Sequence, residues 1–280
     1  MILGYNTNGF AHHSLEQAIE VIASIGYRAV AITIDHGALN PLDNRNAHQL
    51  SAVAALLKRH QMTPVIETGC RYLLDPRHKH EPTLVSPSED KRTQRIALYR
   101  YAIDVAKQLE ASCVSLWSGV VHDDADDPTA LRRLTTALQE VLDYAQQRGV
   151  TIGFEPEPGM LIGALSAYDQ LQEALDHPDN LRLTLDVGHL HCQQETPIPS
   201  YIKRYADEIV NIHIEDMRVG IHEHLMFGEG EIDFPPIIAA LSETAYNGPL
   251  TVELSRHSHM APEAARRAFD FLSRLRRNEE

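Results

Sequence analysis

Eight short runs of β-branched and apolar residues alternate along the whole chain with longer segments of helical period. The runs fall at 2–5, 29–34, 63–66, 113–117, 150–154, 181–185, 209–214 and 250–254. Between them, apolar residues recur at three and four. Leu131, Leu134, Leu138, Val141, Leu142 and Ala145 make one stripe; Ile96, Tyr99, Ala102, Ile103, Ala106 and Leu109 make another. That spacing marks helices with one buried face. Ser14 with Gln17 reads as a capping box, and Gly26 and Gly149 stand where helix ends need a left-handed residue. Strand then helix, repeated, builds a parallel sheet. Eight repeats favour an α/β fold closed into a (β/α)8 barrel. An open doubly wound sheet more often carries a Gly-rich fingerprint after its first strand, and Asn6-Thr7-Asn8-Gly9-Phe10 is not one. Such a barrel needs about 250 residues. The 280-residue chain is therefore expected to be one domain, 1–280.

Bulk properties narrow the function. The net charge is −14, which repels phosphate backbones and argues against nucleic acid as a partner. No stretch approaches the ~18 apolar residues of a membrane span, and Met1-Ile2-Leu3-Gly4-Tyr5 has no basic leader. Cys70, Cys113 and Cys192 form no CxxC pair, which suggests reduced thiols and a cytoplasmic setting. Many of the 16 histidines fall in loops after apolar runs.

Two connections stand out by length. The first, 68–89, carries Arg71, Tyr72, Lys79 and His80; the second, 215–233, is rich in His, Glu and Gly. Loops that follow strands lie on the catalytic face of a barrel, so both are expected to be lid or substrate loops.

The last four runs each end in a metal-competent residue: Glu155, Asp186, His213 and Glu253. Strand ends converge on one axis in a barrel, so these four are expected to meet. A buried ionised carboxylate is costly without a partner, and a cation removes that cost. Three carboxylates and one imidazole suit Mn2+, Co2+, Mg2+ or Zn2+. Around them, Glu157, His222, His224, Arg256 and Trp117 are candidate substrate contacts. Trp117, at a strand end, would stack on a substrate or belong to the core, and Arg71 and Lys79 would meet a phosphate or carboxylate on the substrate. Cys192 has no nucleophile arrangement and reads as an inert thiol.

In joint order these motifs resemble the xylose isomerase-like TIM barrel superfamily, which includes sugar phosphate isomerases and epimerases, inosose dehydratases and the AP endonuclease family 2 domain. They are Gly153-Phe154-Glu155-Pro156-Glu157-Pro158, Asp186-Val187-Gly188-His189, and His213 followed by His222-Glu223-His224 and Gly228-Glu229-Gly230. The resemblance implies one divalent metal held by Glu155, Asp186, His213 and Glu253. It implies His189 as a contact to substrate or to a second metal. Xylose isomerases proper carry Glu-Pro-Lys-Pro after the fifth strand, where the Lys aids a hydride shift. Glu157 in the Lys position redirects the expectation to proton transfer. Endonuclease IV also needs His ligands after earlier strands. Here the third and fourth runs are followed by Glu67-Thr68 and Trp117-Ser118.

The expectation is thus a metal-dependent isomerase or epimerase acting on a small sugar, sugar phosphate or cyclitol. Glu155 and Glu253 would remove and return a proton through an enediolate. A dehydratase of the same superfamily shares that first step and is the alternative. An endonuclease IV-like hydrolase and a non-catalytic binding barrel rank lower. Assembly as a homodimer or homotetramer is left open.

Overall fold

The computed structural model describes residues 1–277. Five parallel strands come first: β1 (Ile2–Asn6), β2 (Ala29–Thr33), β3 (Thr63–Glu67), β4 (Val114–Leu116) and β5 (Ile152–Phe154). Then come β6 (Leu181–Asp186), β7 (Ile209–Ile214), a hairpin of β8 (Asp216–Arg218) and β9 (Ile221–Leu225), and β10 (Pro249–Val252). All but the hairpin close into a barrel of order β1-β10-β7-β6-β5-β4-β3-β2. The expected (β/α)8 architecture is what forms.

Helices lie between the strands. They are α1 (Leu15–Ile25), α2 (Asn46–His60), α3 (Glu89–Leu109), α4 (Asp127–Arg148) and α5 (Leu165–Ala174). Then follow α6 (Val187–Cys192), α7 (Ile198–Arg204), α8 (Phe234–Glu243) and α9 (Ala261–Arg277). The Ser14–Gln17 capping box starts α1, and Gly26 (φ 125°) and Gly149 (φ 66°) end α1 and α4 at positive φ. Among the described residues, no helix is long and apolar enough to cross a membrane.

Strand periodicity explains the polar residues inside. Leu3, Tyr5, Val30, Ile32, Val114, Leu116, Leu250 and Val252 join the main core. Their neighbours Ala31, Val65 and Cys113 form a separate small cluster with Val210. The two clusters are the two faces of one sheet, with side chains alternating at period two. On the inner face, continuing toward the strand C-termini, lie Asn6, Thr33, Glu67, Ser115, Thr184 and Thr251, all buried.

The sequence reading and the structure differ mostly at strand ends, by one or two residues. β3 runs on to Glu67 and β6 to Asp186, while β10 stops at Val252. A larger difference is in 215–233, read from sequence as loop. It holds the β8–β9 hairpin, and the Asp216 carboxylate anchors it. That carboxylate accepts backbone N–H bonds from Met217, Gly228, Gly230 and Ile232 at 2.8–3.1 Å. The Gly228-Glu229-Gly230 turn therefore wraps an internal carboxylate and is no anion cradle for a ligand.

Candidate active site

The barrel order places β5, β6, β7 and β10 side by side. Glu155 follows β5, Asp186 ends β6, His213 lies in β7 and Glu253 follows β10. Donor atoms of these four residues lie within 4.8 Å of one another. His213 Nδ1 is 2.9 Å from Glu155 Oε1, 3.0 Å from Glu253 Oε2 and 3.8 Å from Asp186 Oδ2.

The Asp-x-x-His spacing has a local cause. Asp186 is the N-cap of α6, its Oδ1 accepting from the His189 N–H at 2.8 Å. Capping consumes one carboxylate oxygen and brings His189 over the site. The other oxygen, Oδ2, is buried without a hydrogen-bond partner. An orphaned carboxylate oxygen among two further acids and an imidazole is costly unless a cation meets it. The donor set thus fits a divalent ion.

Charges in the cluster pull against one another. Burial pushes the Glu155 carboxyl up to about 7, against the pull of His213. Burial also raises Glu253, but His213, His224 and His189 together outweigh it and the net shift is down. For His213, burial opposes protonation, yet Glu155, Glu67 and Glu253 together move it well above the ordinary imidazole range.

A second group adjoins the first. His189, His222 and His224 bring ring nitrogens within 4.8 Å of one another. His189 Nδ1 faces the Pro156 carbonyl at 3.1 Å, so the N–H sits there and Nε2 is turned to His222 Nε2, 3.1 Å away. His222 and His224 are two apart on β9, and the strand period sends both to this side. Partial burial, with His189 and His224 beside it, pushes His222 down to about 4. Glu157 stands 3.9 Å from His189 and 3.7 Å from His222, and burial followed by the Glu155 charge raises its carboxyl well above the ordinary range. Behind His224 lies Glu215, wholly buried, with both oxygens unpartnered and Oε2 3.8 Å from His224 Nδ1.

Glu155, Glu157, His189, His213, His222, His224 and Glu253 line a cavity of about 280 Å³ that also includes Trp117 and Arg256. Trp117 is fixed from behind by the guanidinium of fully buried Arg95, 4.5 Å from its ring. Arg256 is on the rim and pairs with Glu223 at 2.6 Å. Of the basic residues of the first long loop, Arg71, Lys79 and His80 reach the cavity wall. Cys192 is buried, and burial raises its thiol.

Two contributors escaped the sequence reading. Glu67 Oε1 accepts from His213 Nε2 at 2.9 Å, which fixes the ring with Nδ1 facing the carboxylates. Asn8 Nδ2 donates to Glu253 Oε1 at 2.7 Å. Glu67 had a signal, since it follows an apolar run as the other four do; Asn8, in a short polar segment, had none.

The family model for the xylose isomerase-like TIM barrel matches residues 19–275. L-ribulose-5-phosphate 3-epimerase UlaE of Shigella flexneri serotype 5b is 25% identical over 254 residues, covering 89% of this chain and 84% of that protein. Among solved structures, a D-tagatose 3-epimerase-like protein superposes with a TM-score of 0.78 at 21% identity, over 98% of this chain and 99% of the other. The IolI protein with a zinc atom gives 0.77 at 19% identity, over 98% of this chain and 98% of the other. Both structural likenesses bear on the fold. The chain belongs to the xylose isomerase-like TIM barrel family.

Proposed function

We propose that this protein is a metal-dependent sugar epimerase or isomerase that works by proton transfer. The observation that carries the reading is the pair Glu155 and Glu253. Both carboxylates lie against one ring nitrogen, His213 Nδ1, at 2.9 and 3.0 Å, and both line the same cavity. Two carboxylates at one small cavity are what removing and returning a proton requires. Support also comes from the relative whose name is L-ribulose-5-phosphate 3-epimerase.

A divalent ion held by Glu155, Asp186, His213 and Glu253 would supply positive charge beside a substrate carbonyl and so acidify the neighbouring C–H. The zinc atom of the IolI structure supports a metal in this fold. Glu155 and Glu253 then act as base and acid, one taking the proton from carbon and the other returning it. His189, with Nε2 free of its Pro156 bond, and Glu157 orient the substrate hydroxyls. Trp117 closes one wall and excludes water. The histidine trio His189, His222 and His224 favours a second cation as a subsidiary reading, because three ring nitrogens converge there.

Incubation of Mn2+-loaded protein with ketoses in D2O tests the reading. Solvent deuterium appearing at the carbon next to the carbonyl, with no loss of water from the sugar, is the expected result. An enone product would shift the assignment to a dehydratase. Glu155→Gln and Glu253→Gln should each cost about 10²- to 10⁴-fold in exchange rate. Unchanged exchange in the double variant would remove the acid/base assignment.

A further inference from the structure

We propose that the substrate carries a second, uncharged sugar ring, seated in a cavity that continues the catalytic cleft beyond Asn8 and Arg71. This inference rests on the epimerase reading, since it concerns the remainder of the same substrate.

The second cavity, about 340 Å³, lies against the first. The two share Asn8, Thr33 and Arg71 as common wall. Polar contacts hold this shared wall together. Asn8 Nδ2 holds Glu253 Oε1 at 2.7 Å, and the Asn8 carbonyl accepts from Arg71 Nη2 at 2.8 Å. Arg71 Nε is in turn 3.5 Å from Asp35 Oδ2, inside the second cavity. A substrate with its reacting carbon at Glu253 that extends toward Asn8 would carry a second ring past Arg71.

The Arg71 side chain is held in this place by an unusual backbone. Cys70 (φ 39°) and Arg71 (φ 26°) are both left-handed, a conformation residues with a Cβ disfavour. Arg95, fully buried, pins the turn by donating to Cys70 Sγ and to the Thr68 carbonyl, each at 3.0 Å. Such strain at a ligand cavity is where function is expected to be found.

The chemistry of the second cavity selects a neutral, hydroxylated ring. Apart from histidines, its formal charges are Asp35 and Arg71, and they offset each other. A phosphate there would meet the Asp35 carboxylate and find its one cation already engaged. Phe10 and Leu15 give the wall an apolar side; His13, His36 and Thr7 give it hydrogen-bonding groups. On its rim Tyr72 leaves 45% of its surface in solvent. An aromatic ring with a polar tip covers the C–H face of a sugar and still reaches its hydroxyls.

Three probes with the same ketose head and different tails at O6 separate the cases: D-fructose, D-fructose 6-phosphate and 6-O-α-D-glucosyl-D-fructose. Calorimetric affinity and deuterium exchange at C3 are both read on the Mn2+-loaded protein. The glucosyl compound should bind at least about tenfold more tightly than either other probe. Gly37→Trp should abolish that preference, since Gly37 lines the second cavity and an added Cβ there meets no atom within 4 Å. Equal affinities for all three, tighter binding of the phosphate, or a preference that survives Gly37→Trp would each overturn the proposal. If exchange occurs with equal affinities, the epimerase reading stands and the second ring falls. If the glucosyl compound binds tightly and loses that advantage in Gly37→Trp, but no probe exchanges, the second cavity stands and the epimerase reading falls.

Discussion

Glu67→Gln isolates what holds the histidine of the proposed metal site. The Glu67 carboxylate is buried, accepts from His213 Nε2 at 2.9 Å and receives a longer bond from Asn211 Nδ2 at 3.3 Å. An N–H donated to a carboxylate makes the opposite ring nitrogen a better ligand and fixes its direction. The amide keeps an acceptor of the same shape and loses the charge. A hydrogen bond to a charged group contributes about 1.5–3 kcal/mol and one between neutral groups about 0.5–1.5 kcal/mol, so the exchange costs about 1–2 kcal/mol. In binding terms that is roughly five- to thirtyfold. It should appear as weaker Mn2+ affinity when chelator-stripped protein is titrated calorimetrically. Turnover should recover at saturating Mn2+. In a His213→Gln background the same substitution should cost nothing further, because its effect runs through the ring. An Mn2+ affinity within about twofold of the parent, at an unchanged fold, would refute the reasoning.

Other consequences are as direct. Stripping the divalent ion should lower the melting temperature, and re-addition at about 100 times Kd should restore about 2.7 kcal/mol, as scanning calorimetry would show. Gly188→Ala puts a Cβ into Glu215 Oε1 and 2.6 Å from Met217 Cε. Overpacking of that kind costs about 1–3 kcal/mol, so urea unfolding should shift to lower concentration; an unchanged midpoint would mean that Glu215 gives way freely. Burial pushes His80 down from 6.5 to about 4, with the Gly69 carbonyl pulling the other way. Between those values the unfolded chain binds a proton that the folded one does not, so stability should decline as pH falls through that window. His80→Gln should flatten the decline, measured as unfolding free energy at pH 7 against pH 5. Equal slopes in the two proteins would rule out His80 as its source.

How far the sequence carries depends on which distances it encodes. The eight strands were legible because burial against helices imposes a period, and Ser14 and Gly149 marked helix ends because capping is local. Glu155, Asp186, His213 and Glu253 were legible because four successive barrel strands bring their ends together whatever lies between them in sequence. The hairpin was not, because the Asp216 carboxylate organises it through four backbone N–H groups, which leave no side-chain pattern beyond Gly228 at positive φ and Gly230, where a Cβ would strike Asp216. Glu67 shows a further limit. It ends an apolar run, as the four candidate ligands do, but its strand β3 lies four places from β7 in a ring of eight, directly opposite. Sequence order says which strands are neighbours; it does not say which side chains span the bore. His213 takes its proposed ligand companions from β10, β6 and β5 on its own side of the barrel and an orienting partner from the far wall. A residue that aims a ligand in a closed barrel is therefore to be sought opposite it as well as beside it, among inward polar residues at the same height, and Glu67 is such a residue here.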